Sequence, residues 1–198
     1  MTHIQNIPHV LEFGITHKRS RNRNPSFMPI GDTSIISKRD SFVLPNLRKL
    51  GDYIPFYFGY RMPMLFVIQN GHSGVKVTAP ENIVYCISSV ELILNHGLDF
   101  VFTDGHALTQ LSLLSIKLPK DVAEIGSILD FEAINSRNWI KEDDTDLKRR
   151  KEAEFLVYGD LPVSAIRGYV VFNESAKNEL ISYGVHEDKV AIRPSYYF

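Results

Sequence analysis

The run Lys148-Arg149-Arg150-Lys151-Glu152-Ala153-Glu154-Phe155-Leu156-Val157 places two carboxylates, two residues apart, between a basic cluster and an apolar segment. Residues i and i+2 of a strand lie on one side of it, so Glu152 and Glu154 are expected to reach from a strand into one cleft. Such a pair suits glycosyl chemistry. Breaking the bond between a ribose and a leaving base builds positive charge on the sugar, and a carboxylate stabilises that charge while holding a ribose hydroxyl. The same spacing also fits a plainer alternative, in which both side chains continue a solvated face beside four cations.

Other chemistries find no motif. The chain has no Gly-rich phosphate loop at a strand-to-helix turn, no paired cysteines, no His-Glu-x-x-His and no Gly-x-Ser-x-Gly. Kinases, Rossmann dehydrogenases and metalloproteases are disfavoured on that basis. His72 and His106 lack partners at metal-ligand spacing, and no metal is expected. The single cysteine, Cys86, sits in Ile83-Val84-Tyr85-Cys86-Ile87 and reads as a small hydrophobe of a buried strand.

The elements that must position these residues follow from apolar patterning. Thr2 to Gly14 reads as a short strand and a short helix, with Asn6 as cap, Pro8 in the first turn and Gly14 as stop. From His17 to Leu50 the periodicity disappears and prolines punctuate a long polar loop. That loop carries Lys18, Arg19, Arg21, Arg23, Lys38, Arg39, Arg48 and Lys49 against Asp32 and Asp40 alone, a basic patch suited to a polyanion. Tyr53 to Phe58 predicts a strand, placed at an edge or its start by Pro55. Met64 to Ile68 and Ile83 to Ile87 predict further strands, and Ser88 or Ser89 caps a helix running to Gly97. Phe100 to Phe102 is a short strand turned off by Thr103-Asp104-Gly105-His106. Leu108 to Trp139 is expected to be mostly helical, and Glu154 to Tyr158 is a strand. Asn173 to Tyr183 is a helix stopped by Gly184, between strands Gly168 to Phe172 and Lys189 to Arg193. Short strands with interspersed helices, without a regular βαβ rhythm, indicate α+β.

At 198 residues the chain is expected to form one domain, 1–198, with the basic loop at 17–50 inside it. Its net charge of −1 neither announces nor excludes a nucleic-acid partner. No membrane association is expected, and the expected location is the cytoplasm.

Five blocks occur in one order: Thr2-His3-Ile4-Gln5-Asn6-Ile7-Pro8; Tyr53-Ile54-Pro55-Phe56-Tyr57-Phe58-Gly59-Tyr60-Arg61-Met62-Pro63-Met64-Leu65; Phe102-Thr103-Asp104-Gly105-His106; Ala153-Glu154-Phe155-Leu156-Val157-Tyr158; and Ile192-Arg193-Pro194-Ser195-Tyr196-Tyr197-Phe198. Together they resemble the DarT family of DNA ADP-ribosyltransferase toxins over nearly the whole chain. The resemblance implies an ADP-ribosyltransferase-like α+β fold of two small packed β-sheets with flanking helices. It implies NAD⁺ as donor, single-stranded DNA as acceptor, and thymine or guanine as the modified base. It also implies a DarG-type antitoxin partner whose macrodomain removes the modification.

Carried over residue by residue, the resemblance makes Glu154 the catalytic glutamate. It makes Arg39 the arginine beside it on the donor and the base, with Lys38 and Arg48 as alternative counterparts. Thr2, His3 and Asn6 match the donor-binding motif. Arg61 and His106 match positions on the DNA, and Tyr57, Tyr60 and Glu152 join them there, the tyrosines by stacking. Glu152 departs from the family, which often has glutamine at that position. Two further classes stay open: an ADP-ribosyltransferase directed at RNA or protein, and a non-catalytic nucleic-acid-binding module.

Overall fold

The computed structural model describes residues 1–109, 112 and 125–198, so the stretch expected to be helical from Leu108 to Trp139 lies partly outside the described residues. The strands are β1 Thr2–His3, β2 Tyr53–Tyr57, β3 Ile83–Ile87, β4 Phe100–Phe102, β5 Glu154–Tyr158, β6 Gly168–Val171 and β7 Val190–Ile192. They make one four-stranded sheet, ordered β1-β3-β6-β7, and one three-stranded sheet, ordered β2-β5-β4. With the helices this is the expected α+β fold of two small sheets. The chain forms two compact units: Met1–Thr33 with Leu65–Leu98 and Gly159–Phe198, and Ser34–Met64 with Asp99–Tyr158.

In the first unit β1 and β6 pair antiparallel with β3, while β6 and β7 run parallel. A parallel pair needs a crossover, and the helix Glu174–Ser182 supplies it. Asn173 caps that helix by accepting the Ala176 N–H at 2.9 Å. The phenol of Tyr197, buried in this core, donates within reach of the Ile83 and Val170 carbonyls. Near the amino end, the helix Ile7–Phe13 follows a single 3-10 turn, Ile4–Asn6, and stops at Gly14. Only glycine suits that stop, because φ is +79° and an added Cβ would lie 2.0 Å from the Leu161 carbonyl oxygen. Asn6 makes no side-chain cap, contrary to expectation, because its amide is committed elsewhere.

The apolar run Met64 to Ile68 is helical, Pro63–Asn70, and not a strand. Five consecutive apolar residues carry neither period, and Pro63 loses no hydrogen bond in a first helical turn. Burial of Leu65 and Ile68, three residues apart, shows the helical spacing.

In the second unit β5 is central, with β2 and β4 antiparallel on either side. Pro55 lies on β2, an outer strand, where its missing N–H costs no ladder bond. Leu44, Leu50, Tyr53, Val101, Ala107 and Leu156 form the core here. The basic stretch read as loop contains a helix, Thr33–Ser41. None of its residues is buried, so it leaves no apolar period in the sequence. The helix Leu147–Lys151 delivers the chain into β5. Its last residue, Lys151, is buried with the ammonium donating to the Ile134 and Ser136 carbonyls at 2.9 and 2.7 Å. Burial lowers its pKa to about 8.

Candidate active site

Glu154 opens β5 and is fully buried. Its backbone is held by Thr103, whose N–H donates to the Glu154 carbonyl at 2.9 Å and whose hydroxyl accepts the Glu154 N–H at 3.3 Å. Its carboxylate is held on both oxygens: Oε1 accepts the Ala107 N–H at 2.9 Å and Oε2 accepts Arg39 Nη1 at 2.8 Å. A carboxylate taken out of water is tolerated only with such partners. One bond to each oxygen leaves acceptor capacity over, enough for a ribose hydroxyl.

Arg39 comes from the last turn of the exposed helix Thr33–Ser41. Its side chain is 12% exposed. Its Nη2 is buried with no hydrogen-bond partner among the described residues. A buried donor without a partner is costly, and this one suits an oxygen of a ligand that also meets Glu154.

Tyr57 lies opposite Glu154 across the β2–β5 ladder. Burial first, then the charges of Glu154 and Glu152, push its phenol well above the ordinary range, so it remains an O–H donor. His106 follows the Thr103–Gly105 turn, and its main-chain N–H donates to the Arg149 carbonyl at 3.2 Å. Burial lowers its pKa against the opposing pull of Glu154. The neutral ring accepts the Leu108 N–H on Nδ1, which assigns the proton to Nε2 and makes that atom a donor.

Glu152 is not on the strand. It ends the helix Leu147–Lys151 with φ −88° and ψ 26°, so the i, i+2 relation expected with Glu154 does not apply. The charge of Glu154 nonetheless acts on Glu152. Burial raises the Glu152 pKa to about 7, Lys148 and Lys151 pull it down, and Glu154 pushes it up. Both its protonated and its ionised forms are therefore accessible near neutral pH.

Arg61 sits in the bend after β2 with φ +52°, a left-handed conformation that costs a non-glycine residue about 1 kcal/mol. Gly59 in the same bend passes so close to Ile134 and Met62 that an added Cβ would meet both at 2.8 Å. Tyr60 beside them is exposed. Arg39, Tyr57, Tyr60, Arg61, His106, Glu152 and Glu154 thus all belong to one compact unit.

Thr2, His3 and Asn6 belong to the other unit. The Asn6 amide donates to Thr2 Oγ1 at 2.9 Å and to the Met28 carbonyl at 2.8 Å, while its oxygen accepts the Met28 N–H at 2.8 Å. It stands in for a strand neighbour of residue 28 and fixes the preceding loop. His3 caps the first turn by accepting the Gln5 N–H on Nδ1. Burial lowers its pKa, Glu179 raises it and Lys76 lowers it.

Sequence reasoning did not single out Thr103, Ala107, Arg149 or Lys151. Ala107 contributes a main-chain N–H, which no side chain announces. Arg149 and Lys151 were visible only as members of a basic run.

The α+β frame of two small sheets matches that of solved DNA ADP-ribosyltransferases. A family model described as "ssDNA thymidine ADP-ribosyltransferase, DarT" matches residues 1–198, and the chain belongs to that family. It is an NAD⁺-dependent DNA ADP-ribosyltransferase of the DarT toxin type that acts on single-stranded DNA. The chain is similar to a DNA ADP-ribosyl transferase of Thermus sp. (strain 2.9), 30% identical over 207 residues, covering 100% of this chain and 94% of that one. Two solved structures of Thermus sp. 2.9 DarT superpose on it. The complex with ADP-ribosylated ssDNA has a TM-score of 0.83 at 29% identity, covering 100% of this chain and 93% of the other. The complex with NAD⁺ has 0.79 at 28%, covering 100% and 94%. A Thermosipho africanus protein named as a fusion of DNA ADP-ribosyl transferase and DNA ADP-ribosyl glycohydrolase is 30% identical over 203 residues. The match covers 100% of this chain and 48% of the fusion.

Among the described residues no helix is long and apolar enough to cross a membrane. No group of three or more His, Cys, Asp or Glu among them is placed to hold a metal ion.

Proposed function

We propose that residues 1–198 act as one catalytic domain in which Glu154 drives transfer of ADP-ribose from NAD⁺ to thymine in single-stranded DNA. The observation that carries this reading is the buried Glu154 carboxylate, aimed by Arg39 and the Ala107 N–H. It accepts a hydroxyl of the nicotinamide ribose and faces the positive charge that grows on the sugar as the bond to nicotinamide breaks. The bond's electron pair leaves with nicotinamide. The base nitrogen then forms the new bond to the same ribose carbon and loses its proton.

Glu152 receives that proton in its ionised form, which its pKa of about 7 makes available near neutral pH. Arg39 Nη2 donates to an oxygen of the donor or of the base, and thereby gains the partner it lacks. Thr2, His3 and Asn6 hold the donor, with Asn6 acting through the loop it fixes at Met28. Arg61, Tyr60, Tyr57 and the Nε2–H of His106 take the DNA: the cation on a phosphate, the aromatic rings and the imidazole on the base. A base already unpaired needs no duplex to be opened. Thymine is chosen over guanine because the family description names thymidine.

The fused glycohydrolase of the Thermosipho relative supports a separate antitoxin of DarG type, a macrodomain that reverses the modification. We place the enzyme in the cytoplasm, where NAD⁺ and single-stranded DNA are both available. The test is nicotinamide release with and without a thymine-containing oligonucleotide. Glu154→Gln abolishes release in both cases on this reading, and undiminished release by that variant rejects it.

A further inference from the structure

Arg149 takes no part in the scheme above, yet its side chain makes four hydrogen bonds to described residues. Its Nε and Nη2 donate to the two oxygens of Asp146 at 2.7 and 2.8 Å, a fork on a carboxylate. Its Nη1 donates to Asp104 Oδ1 at 3.0 Å and to Ser112 Oγ at 3.1 Å. Its carbonyl accepts the His106 N–H at 3.2 Å. Gly105 passes under the guanidinium so closely that an added Cβ would lie 2.5 Å from Nη1, 2.6 Å from Ser112 Oγ and 2.8 Å from Arg149 Cγ. Both the side chain and the main chain of Arg149 therefore grip the turn Asp104-Gly105-His106.

The same turn holds Glu154. Thr103, before it, donates its N–H to the Glu154 carbonyl and accepts the Glu154 N–H on its hydroxyl, and Ala107, after it, donates to the carboxylate itself. We infer that Arg149 is a positioning residue for the reaction: it clamps the loop Thr103–Ala107, and through that loop it aims the Glu154 carboxylate and the His106 ring. The inference deepens the proposed role of Glu154 and rests on it. The Arg149 side chain is 15% exposed, against 22% for Asp104 and 41% for Asp146, so the bond to Asp104 is the less screened of the two. A loop released by about 1 Å misplaces the carboxylate, a displacement that can cost about 100-fold in rate.

The experiment measures nicotinamide release at varied NAD⁺ for Arg149→Ala, Arg149→Lys, Gly105→Ala and Glu154→Gln. Arg149→Ala is expected to lower kcat by about 10- to 100-fold with KM for NAD⁺ changed less than about threefold. Added free guanidinium ion restores part of the rate to Arg149→Ala and none to Glu154→Gln. Arg149→Lys, which cannot form the fork, falls between wild type and alanine. Gly105→Ala, whose Cβ displaces the clamp without removing it, lowers kcat at similar KM and supplies the test should Arg149→Ala not fold. A wild-type kcat in both Arg149→Ala and Gly105→Ala overturns the inference, as does a loss in kcat that guanidinium leaves untouched while the protein is folded. Wild-type release by Glu154→Gln instead overturns the catalytic reading beneath it, so the two failures are separable.

Discussion

Arg39 Nη1 meets Glu154 Oε2 at 2.8 Å across 115 positions of sequence, with the carboxylate fully buried and the arginine nearly so. Removing one member of such a pair leaves the other charged and without its partner. Glu154→Gln is expected to lower nicotinamide release by about 100-fold or more, because the charge facing the sugar is lost. Arg39→Lys keeps a cation but not the planar fork and is expected to lose about tenfold. Steady-state kinetics on the two variants check both values, and near-wild-type rates for Arg39→Lys would mean that charge alone matters.

Glu152 makes stability and transfer depend on pH in opposite senses. Its folded-state pKa of about 7 lies above the ordinary 4.5, so the folded state binds the extra proton between those values and stability falls as pH rises through that window. Glu152→Gln is expected to raise the melting temperature at pH 8 by about 2–4 °C per kcal/mol recovered and to leave it unchanged near pH 4. DNA labelling by the wild type rises as pH passes about 7, and in Glu152→Gln it is low and flat while nicotinamide release persists. Thermal melts and labelling at four pH values measure both; parallel pH profiles for the two proteins contradict the assignment.

Arg61 holds a left-handed backbone at φ +52°. Arg61→Gly relieves that strain while removing a cation proposed to meet DNA. Its stability should stay within about 1 kcal/mol of wild type. Its DNA labelling should fall severalfold and lose some salt dependence, with nicotinamide release in the absence of DNA unchanged. Equal loss in both assays would place Arg61 on the donor.

Two glycines separate strain from crowding. Gly14 and Gly97 both have positive φ, yet a Cβ on Gly14 meets the Leu161 carbonyl oxygen at 2.0 Å and one on Gly97 meets nothing within 4 Å. Gly97→Ala should cost about 1 kcal/mol and Gly14→Ala about 3 kcal/mol or more. Denaturant unfolding of the two variants compares them directly.

How much was legible follows from what each element buries. β5, with Glu154 at its head, and the helix capped by Asn173 announced themselves through apolar runs and cap residues, and β2 through the edge proline Pro55. The helix carrying Arg39 was hidden because none of its residues is buried. The helix Pro63–Asn70 carries an unbroken apolar run with no period, a pattern that a buried strand shares. The spacing of Glu152 and Glu154 pointed to one strand, whereas a helix end intervenes, and dihedral angles there are set by tertiary packing. The grip of Ala107 and Arg149 on the site uses a main-chain N–H and a folded turn, neither of which composition encodes.

Transfer of ADP-ribose to a DNA base adds a fixed mass to the acceptor strand. The decisive measurement incubates the enzyme with NAD⁺ and a set of single-stranded oligonucleotides, each lacking one base type, and then records intact masses. One added ADP-ribose is expected on oligonucleotides containing thymine, none on those without it, and none with Glu154→Gln. An added mass confined to guanine overturns the choice of base. Unmodified DNA beside labelled RNA or polypeptide, or a Glu154→Gln variant that labels as well as wild type, overturns Glu154-driven transfer to DNA.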